Sequence, residues 1–289
     1  MIKKLSPDSR DRLNQVLSTW RQWNNPPAST PILIGRLGGH TNESYHVGDL
    51  TNEWVVRLNV SKPDGGISRS NEILAIEAAN AEGIAPDIAF HNDQTLVLKY
   101  LRGDKPTGDD LPAIGNLFSQ IHSLHADIKP MDLSQHLGRY YHEAAPDPDI
   151  SNCFSRFNQL IQPGQATQVL CHQDATLDNL IKCHVESGKP GHPQSGQEDR
   201  IFIIDWEYTH LSDPAYDLAV FSYTTGLNEA QKVIFLDNYK REENDLLDRV
   251  NYYESYYALI EILWWFNRGQ KLDEKISDLN QLLDQALSG

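Results

Sequence analysis

Cysteine is scarce in this chain: Cys153, Cys171 and Cys183 are the whole complement, and none forms a C-x-x-C pair. An odd, unclustered set excludes a disulfide framework, makes zinc improbable, and points to reduced thiols in a cytoplasmic protein. Long apolar runs are missing too, since no stretch approaches the roughly 20 residues of a membrane span. The basic start MIKKLSPDSRDRL is not followed by an apolar segment, so no signal peptide is expected. Positive charge is in short supply. The 25 Lys and Arg stand against 40 Asp and Glu, a net charge of −15. That balance argues against a nucleic-acid partner and suits a cationic small molecule. There is no G-x-x-x-x-G-K-[ST] loop, no G-x-G-x-x-G, and no D-F-G or A-P-E segment. A P-loop fold and an ordinary protein kinase are therefore both disfavoured.

What the chain does have is concentrated in residues 171–208, where CHQDATLDNLIK is followed, after a polar insertion, by IFIIDWEY. His172, Asp174 and Asn179 form H-x-D-x-x-x-x-N, and Asp205 ends an apolar run. Phosphoryl transfer from a nucleotide needs a carboxylate to take the acceptor's hydroxyl proton, and oxygen ligands that hold magnesium against the phosphates. Asp174 suits the first role; Asn179 and Asp205 suit the second. Four such residues in order, each beside a strand-like run, are hard to attribute to chance. The segment reads as a kinase-type site.

The rest of the chain has the size and pattern for such an enzyme. A length of 289 residues accommodates two lobes. Leu13, Val16, Leu17, Trp20 and Trp23 recur at helical spacing, and NNPPAST ends that helix. PILIGRLGG, SYHVGD and EWVVRLNV read as a three-strand meander. A helix is expected over 70–82, capped by Ser70 or Asn71 and closed near Gly83. Two more strands are expected at 88–92 and 95–103. Helices dominate after about residue 103, apart from the strands of the catalytic segment. The stretch 186–200, rich in Gly and Pro, reads as a mobile hairpin loop. The expectation is an α+β chain with a sheet-rich N-lobe over 1–103 and a mainly helical C-lobe over 104–289.

LGGHTNESYHV (37–47), WVVRLN (54–59), LCHQDATLDNLI and IIDWEY together resemble the kinase-like superfamily of small-molecule phosphotransferases. That superfamily holds the choline/ethanolamine kinases, bacterial thiamine kinase and the aminoglycoside phosphotransferases. The resemblance spans roughly residues 33 to 270, and its GG-x-TN-x-x-Y and D-W-E-Y forms are closest to the choline and thiamine kinase branch. It implies a protein-kinase-like two-lobed fold, ATP and Mg2+ as cofactors, and a small-molecule acceptor. Gly38 and Gly39 would let the backbone approach a phosphate, with Thr41 and Asn42 as side-chain donors. Arg57 stands where protein kinases use lysine, and suits bidentate phosphate contact. Glu72 is its expected partner, in preference to Glu77. Adenine would meet backbone groups around Lys99, Tyr100 and Leu101.

The resemblance also assigns supporting and acceptor residues. His172 and Asp217 would brace the catalytic loop, while His122, His125 and Asp178 are read as structural or solvated. Tyr208 would present an aromatic face to a cation, with Glu207 and Glu261 as counter-charges. Trp264 and Trp265 are adjacent, where the family has W-x-x-W, so one is expected at the acceptor and the other in the core. A cation over an aromatic face is worth roughly 0.5–2 kcal/mol. The reading is an ATP- and magnesium-dependent kinase of a small, cationic alcohol: choline or ethanolamine first, then thiamine, then an aminoglycoside. The rival from another class is an inactive nucleotide-binding module, which the intact Asp174, Asn179 and Asp205 disfavour.

Overall fold

The computed structural model describes residues 6–38, 42–60, 66–144, 148–164, 166–187, 196–241, 244–270 and 272–288. The chain divides into two compact units, Met1–Asp104 with Ile181–Glu207, and Lys105–Leu180 with Tyr208–Gly289.

The first unit opens with α1 (Pro7–Ser18), whose N-cap Ser6 accepts a hydrogen bond from the Ser9 amide. A short 3-10 turn over Trp20–Gln22 follows. Leu13, Val16, Leu17, Trp20 and Trp23 are all buried, as their spacing demands. They pack on Trp54, Val56 and Leu58, which alternate along β3 (Glu53–Leu58) and so share one sheet face. Strands β1 (Ile32–Arg36), β2 (Glu43–Gly48), β3, β4 (Ile88–Asn92) and β5 (Thr95–Lys99) form an antiparallel sheet in the order β1-β2-β3-β5-β4. Helix α2 (Arg69–Ala81) starts earlier than expected. Its cap is Ser68, whose hydroxyl accepts from Asn71 N at 3.4 Å, rather than Ser70 or Asn71.

The polar insertion is partly strand. Later in the chain, β7 (Leu180–Ser187) pairs with β8 (Gly196–Ile203), so the ends of the expected loop lie in a ladder, and 188–195 fall outside the described residues. Asp199 joins the two strands by an ion pair with Lys182 at 3.2 Å and a hydrogen bond with His184 at 2.5 Å. The sequence places 181–207 among the residues of the second lobe, yet this pair clusters with the first unit. Asp104 and Lys182 exchange backbone hydrogen bonds at 3.0 and 2.8 Å, and Ile203 N donates to Ile84 O at 2.9 Å.

The second unit is mainly helical. It contains α3 (Leu111–Ile121), α4 (Leu133–Ala144), α5 (Pro148–Phe157), α6 (Pro214–Thr225), α7 (Glu229–Tyr239), α8 (Leu246–Phe266) and α9 (Asp273–Ser288). A small antiparallel pair, β6 (Val169–Cys171) with β9 (His210–Ser212), sets the entry to the catalytic segment. Phe118, Phe221 and Phe235 tie α3, α6 and α7 together, with ring centroids 5.0–5.6 Å apart. Gly115 lets α3 approach α7 closely, since a Cβ there would fall 2.4 Å from the Phe235 carbonyl oxygen. Among the described residues, no helix is long and apolar enough to cross a membrane.

Candidate active site

In the second unit, β6 ends at Cys171, and the chain turns through His172, Gln173 and Asp174. Asp217, on the first turn of α6, accepts hydrogen bonds from His172 N and Gln173 N, each at 2.7 Å. Its Oδ2 also lies 3.2 Å from His122 Nε2. His172 is fully buried, and its Nδ1 accepts from Asp174 N at 3.3 Å. The two residues expected to brace the loop are therefore both bonded to it.

Asn179 closes a 3-10 turn over Leu177–Asn179. Its Nδ2 donates to the Asp174 carbonyl at 2.7 Å and to Asp174 Oδ2 at 3.2 Å. Both neighbours are acceptors, so the amide nitrogen must face them, and Oδ1 is left with no partner among the described residues. An amide oxygen held this way beside a carboxylate suits a hard cation. Asp178, expected to be solvated, is exposed and ion-paired with Lys105.

In the first unit, Arg57 is almost completely buried on β3, and Glu72 meets it from α2. Nη1 and Nη2 each lie 2.6 Å from a different Glu72 oxygen. Arg57 Nε donates to Asn59 Oδ1 at 3.1 Å, and Nη1 to Asp205 Oδ1 at 3.3 Å. Arg69 is the member that sequence reasoning missed. It donates to Glu207 at 2.8 Å, to Glu72 at 3.1 Å, and to Asn42 Oδ1 at 3.1 Å. Its position three residues before Glu72 was the available signal.

The cluster sets two guanidiniums against the carboxylates of Glu72, Asp205 and Glu207, a formal deficit of one positive charge. Asp205 is the open member, with 42% of its side chain exposed. The protein packed around it still raises its carboxyl pKa, and Arg57 opposes that rise. Desolvation likewise raises the Glu207 pKa, with the Asp205 charge adding to the effect. A divalent cation at Asp205 would relieve both.

Several expected positions carry different contacts. Glu207, read as an acceptor counter-charge, is buried with its carboxylate engaged by Arg69 and by Asn42 Nδ2 at 2.6 Å. Asn42 itself also accepts from Val60 N at 3.3 Å, so its side chain joins loop to sheet. Gly39 and Thr41 lie outside the described residues. Among the described residues, an added Cβ at Gly38 would meet nothing within 4 Å. The amides of Lys99 and Tyr100 already donate to Asp87 O and Glu53 O, each at 2.9 Å.

In the second unit a chain of contacts links α6, α8 and α9 around Glu261, which the sequence reading expects on the acceptor side. Glu261 pairs with Lys275 at 2.7 Å, and Tyr223 Oη lies 3.5 Å from it. Tyr223 packs edge-on against Tyr257, with centroids 5.9 Å apart. Burial raises the Tyr257 hydroxyl pKa, and the nearby Asp174 and Glu261 carboxylates raise it further. Tyr257 is thus a further candidate for the acceptor side, beside Tyr223 and near the Asp174 and Glu261 carboxylates. Tyr208 is half-buried. Neither Trp264 nor Trp265 is core, contrary to expectation: both are half-buried and meet edge to face at 4.6 Å. Ile262 and Leu263 fill the buried face of α8 there, while the Arg268 guanidinium lies 3.3 Å from the Trp264 ring centroid.

A family model for choline/ethanolamine kinase matches residues 35–285. The chain belongs to the choline/ethanolamine kinase family. A LicA homolog from Metamycoplasma hominis is 25% identical over 211 residues, 70% of this chain and 76% of the relative. Among solved structures, a choline/ethanolamine kinase family protein from Mesorhizobium loti aligns with a TM-score of 0.67 at 19% identity, covering 96% of this chain and 95% of the other. Choline kinase LicA from Streptococcus pneumoniae aligns with the same TM-score at 17% identity, covering 97% and 99%. Family membership makes this a phosphotransferase of the small-molecule kinase class, and the structural matches show the kinase-like fold with its antiparallel-sheet N-lobe and helical C-lobe.

Proposed function

We propose that the chain transfers the γ-phosphoryl group of ATP, with magnesium, to the hydroxyl of a small cationic alcohol, choline or ethanolamine before thiamine or an aminoglycoside. The observation that carries this is Asn179, whose amide nitrogen is spent on Asp174 while its oxygen is left for a cation. Asp174 is the base that takes the acceptor's proton. Asn179 Oδ1 and the open carboxylate of Asp205 are the groups offered to magnesium, which when bound would neutralise charge on the transferring phosphoryl. Arg57, braced by Glu72, is the phosphate-facing cation, and Gly38 leaves room for a phosphate near the backbone. With the Lys99 and Tyr100 amides occupied, adenine is read by carbonyl groups there and by the Leu101 amide.

For the acceptor, Tyr208, Tyr257, Glu261 and the Trp264–Trp265 pair are the residues proposed. Glu207 is assigned instead to support the Arg57 and Arg69 cluster. The choline kinase named among the structural relatives supports choline as acceptor. The three unpaired cysteines support a reducing, cytoplasmic setting. The test is an ATP-consumption screen with magnesium across choline, ethanolamine, thiamine, aminoglycosides and sugars. Fastest turnover of choline or ethanolamine supports the reading. A neutral or anionic acceptor in first place refutes the cationic pocket, and no consumption with any acceptor favours the inactive module.

A further inference from the structure

The catalytic segment turns at Gln173, whose φ of 67° lies in the left-handed region. A residue with a Cβ holds that conformation only where its surroundings over-determine it. Here the surroundings are the two oxygens of Asp217, which grip the amides of His172 and Gln173. Asp217 is completely buried, so its carboxylate depends on the donors around it. The third donor is His122 Nε2. In a neutral ring that nitrogen must carry the proton, and Nδ1 must then accept. The group facing Nδ1 is the hydroxyl of Tyr239, 2.8 Å away at the end of α7. Tyr239 is fully buried and 117 residues distant in sequence from His122. The backbone of His122 is fixed as well, because Arg241 Nη1 donates to its carbonyl at 2.7 Å.

We propose that Tyr239 is a positioning residue for Asp174: its hydroxyl hydrogen-bonds His122 Nδ1 and so fixes the ring whose Nε2 completes the donor shell of Asp217, and with it the backbone turn that presents Asp174. This rests on the reading of Asp174 as the base. The tyrosine acts at one remove, through a hydrogen atom on a ring that touches neither substrate nor metal ligand. Removing the hydroxyl leaves the buried Nδ1 without that partner and loosens the ring. Asp217 then loses a donor for part of the time, and Gln173 loses part of its restraint.

Two measurements test the relay. In the full chain labelled with 15N-histidine, the His122 ring should carry a proton on Nε2 that is protected from exchange with solvent, and Tyr239→Phe should speed that exchange. A wild-type ring with no proton on Nε2 overturns the proposal. Kinetically, with ATP and the better of choline and ethanolamine, Tyr239→Phe should lower kcat about tenfold with both KM values within about twofold of wild type. His122→Gln removes the ring that Tyr239 holds and offers Asp217 an amide donor, so Tyr239→Phe should cost nothing further in that background. An unchanged kcat in Tyr239→Phe, or an equal loss in the His122→Gln background, refutes the relay. The double variant compared with His122→Gln alone decides the matter even where Tyr239→Phe folds poorly. Full turnover by Asp174→Asn would instead overturn the base assignment, which keeps the two failures distinguishable.

Discussion

At the scale of single residues, charge and conformation separate binding from folding. Asp174→Asn keeps the carbonyl that Asn179 holds and removes the proton acceptor. Turnover should fall by about 100- to 10,000-fold while nucleotide binding persists, because a positioned base contributes that much. Steady-state kinetics beside ATP calorimetry checks this, and more than half the wild-type rate would sink it. Asp205 has a φ of 66°, a conformation that asparagine tolerates as well as aspartate. Asp205→Asn therefore removes one carboxylate from a cluster that has an excess of one, without a backbone penalty. Its magnesium–ATP affinity should drop, more than in Asn179→Ala, whereas metal-free thermal stability should hold or rise. Undiminished affinity in both variants would put the metal elsewhere. Asp174, Asn179, Asp205, Arg57 and Glu72 were legible because a local motif or a nearby helix carries them. Arg69 and Tyr257 were not, since beyond the local Arg69–Glu72 spacing their partners lie far along the chain, such as Glu207, 138 residues from Arg69.

At the scale of elements, the strands and helices of the first hundred residues follow from alternation and helical spacing, and the turns between them can be tested by pH. Asp49 closes the β2–β3 hairpin, with Oδ1 accepting from the Thr51 and Asn52 amides at 2.8 Å and Oδ2 from Ala28 N at 2.6 Å. These amides, Thr51 first, pull its carboxyl pKa down to about 2. The folded pKa is below the unfolded value of about 3.9, so the turn's contribution is present above that value and is lost as pH falls through about 2. Asp49→Asn should abolish this part of the acid dependence between about pH 4 and 2. Acid unfolding followed by circular dichroism would show it as a shallower decline, and identical curves would refute it. The insertion at 186–200 resisted reading for a different reason. Its composition is that of a loop, yet its ends pair as strands, and Asp199 meets Lys182 and His184 across them.

At the scale of the whole molecule, the net charge of −15 acts on both proposed substrates with opposite sign. Magnesium–ATP is an anion approaching an acidic protein whose Arg57 cluster is itself one charge short. The cationic acceptor is drawn toward the same field, although Lys275 offsets Glu261 locally. Added salt screens both effects over about 10 Å at 0.1 M. Raising salt from about 0.02 to 0.3 M should then lower KM for magnesium–ATP and raise KM for choline or ethanolamine modestly, since a partly enclosed charge is screened less. Tyr208→Ala tests the local part of the attraction, because an aromatic face does not respond to bulk salt as a distant charge does. It should raise the acceptor KM by about 2- to 30-fold, the equivalent of roughly 0.5–2 kcal/mol, and leave that for ATP alone. Its acceptor KM should retain the wild-type salt slope. A parallel shift of both KM values with salt would show that net charge steers neither substrate. An ATP KM that moves with Tyr208 would remove that residue from the acceptor side.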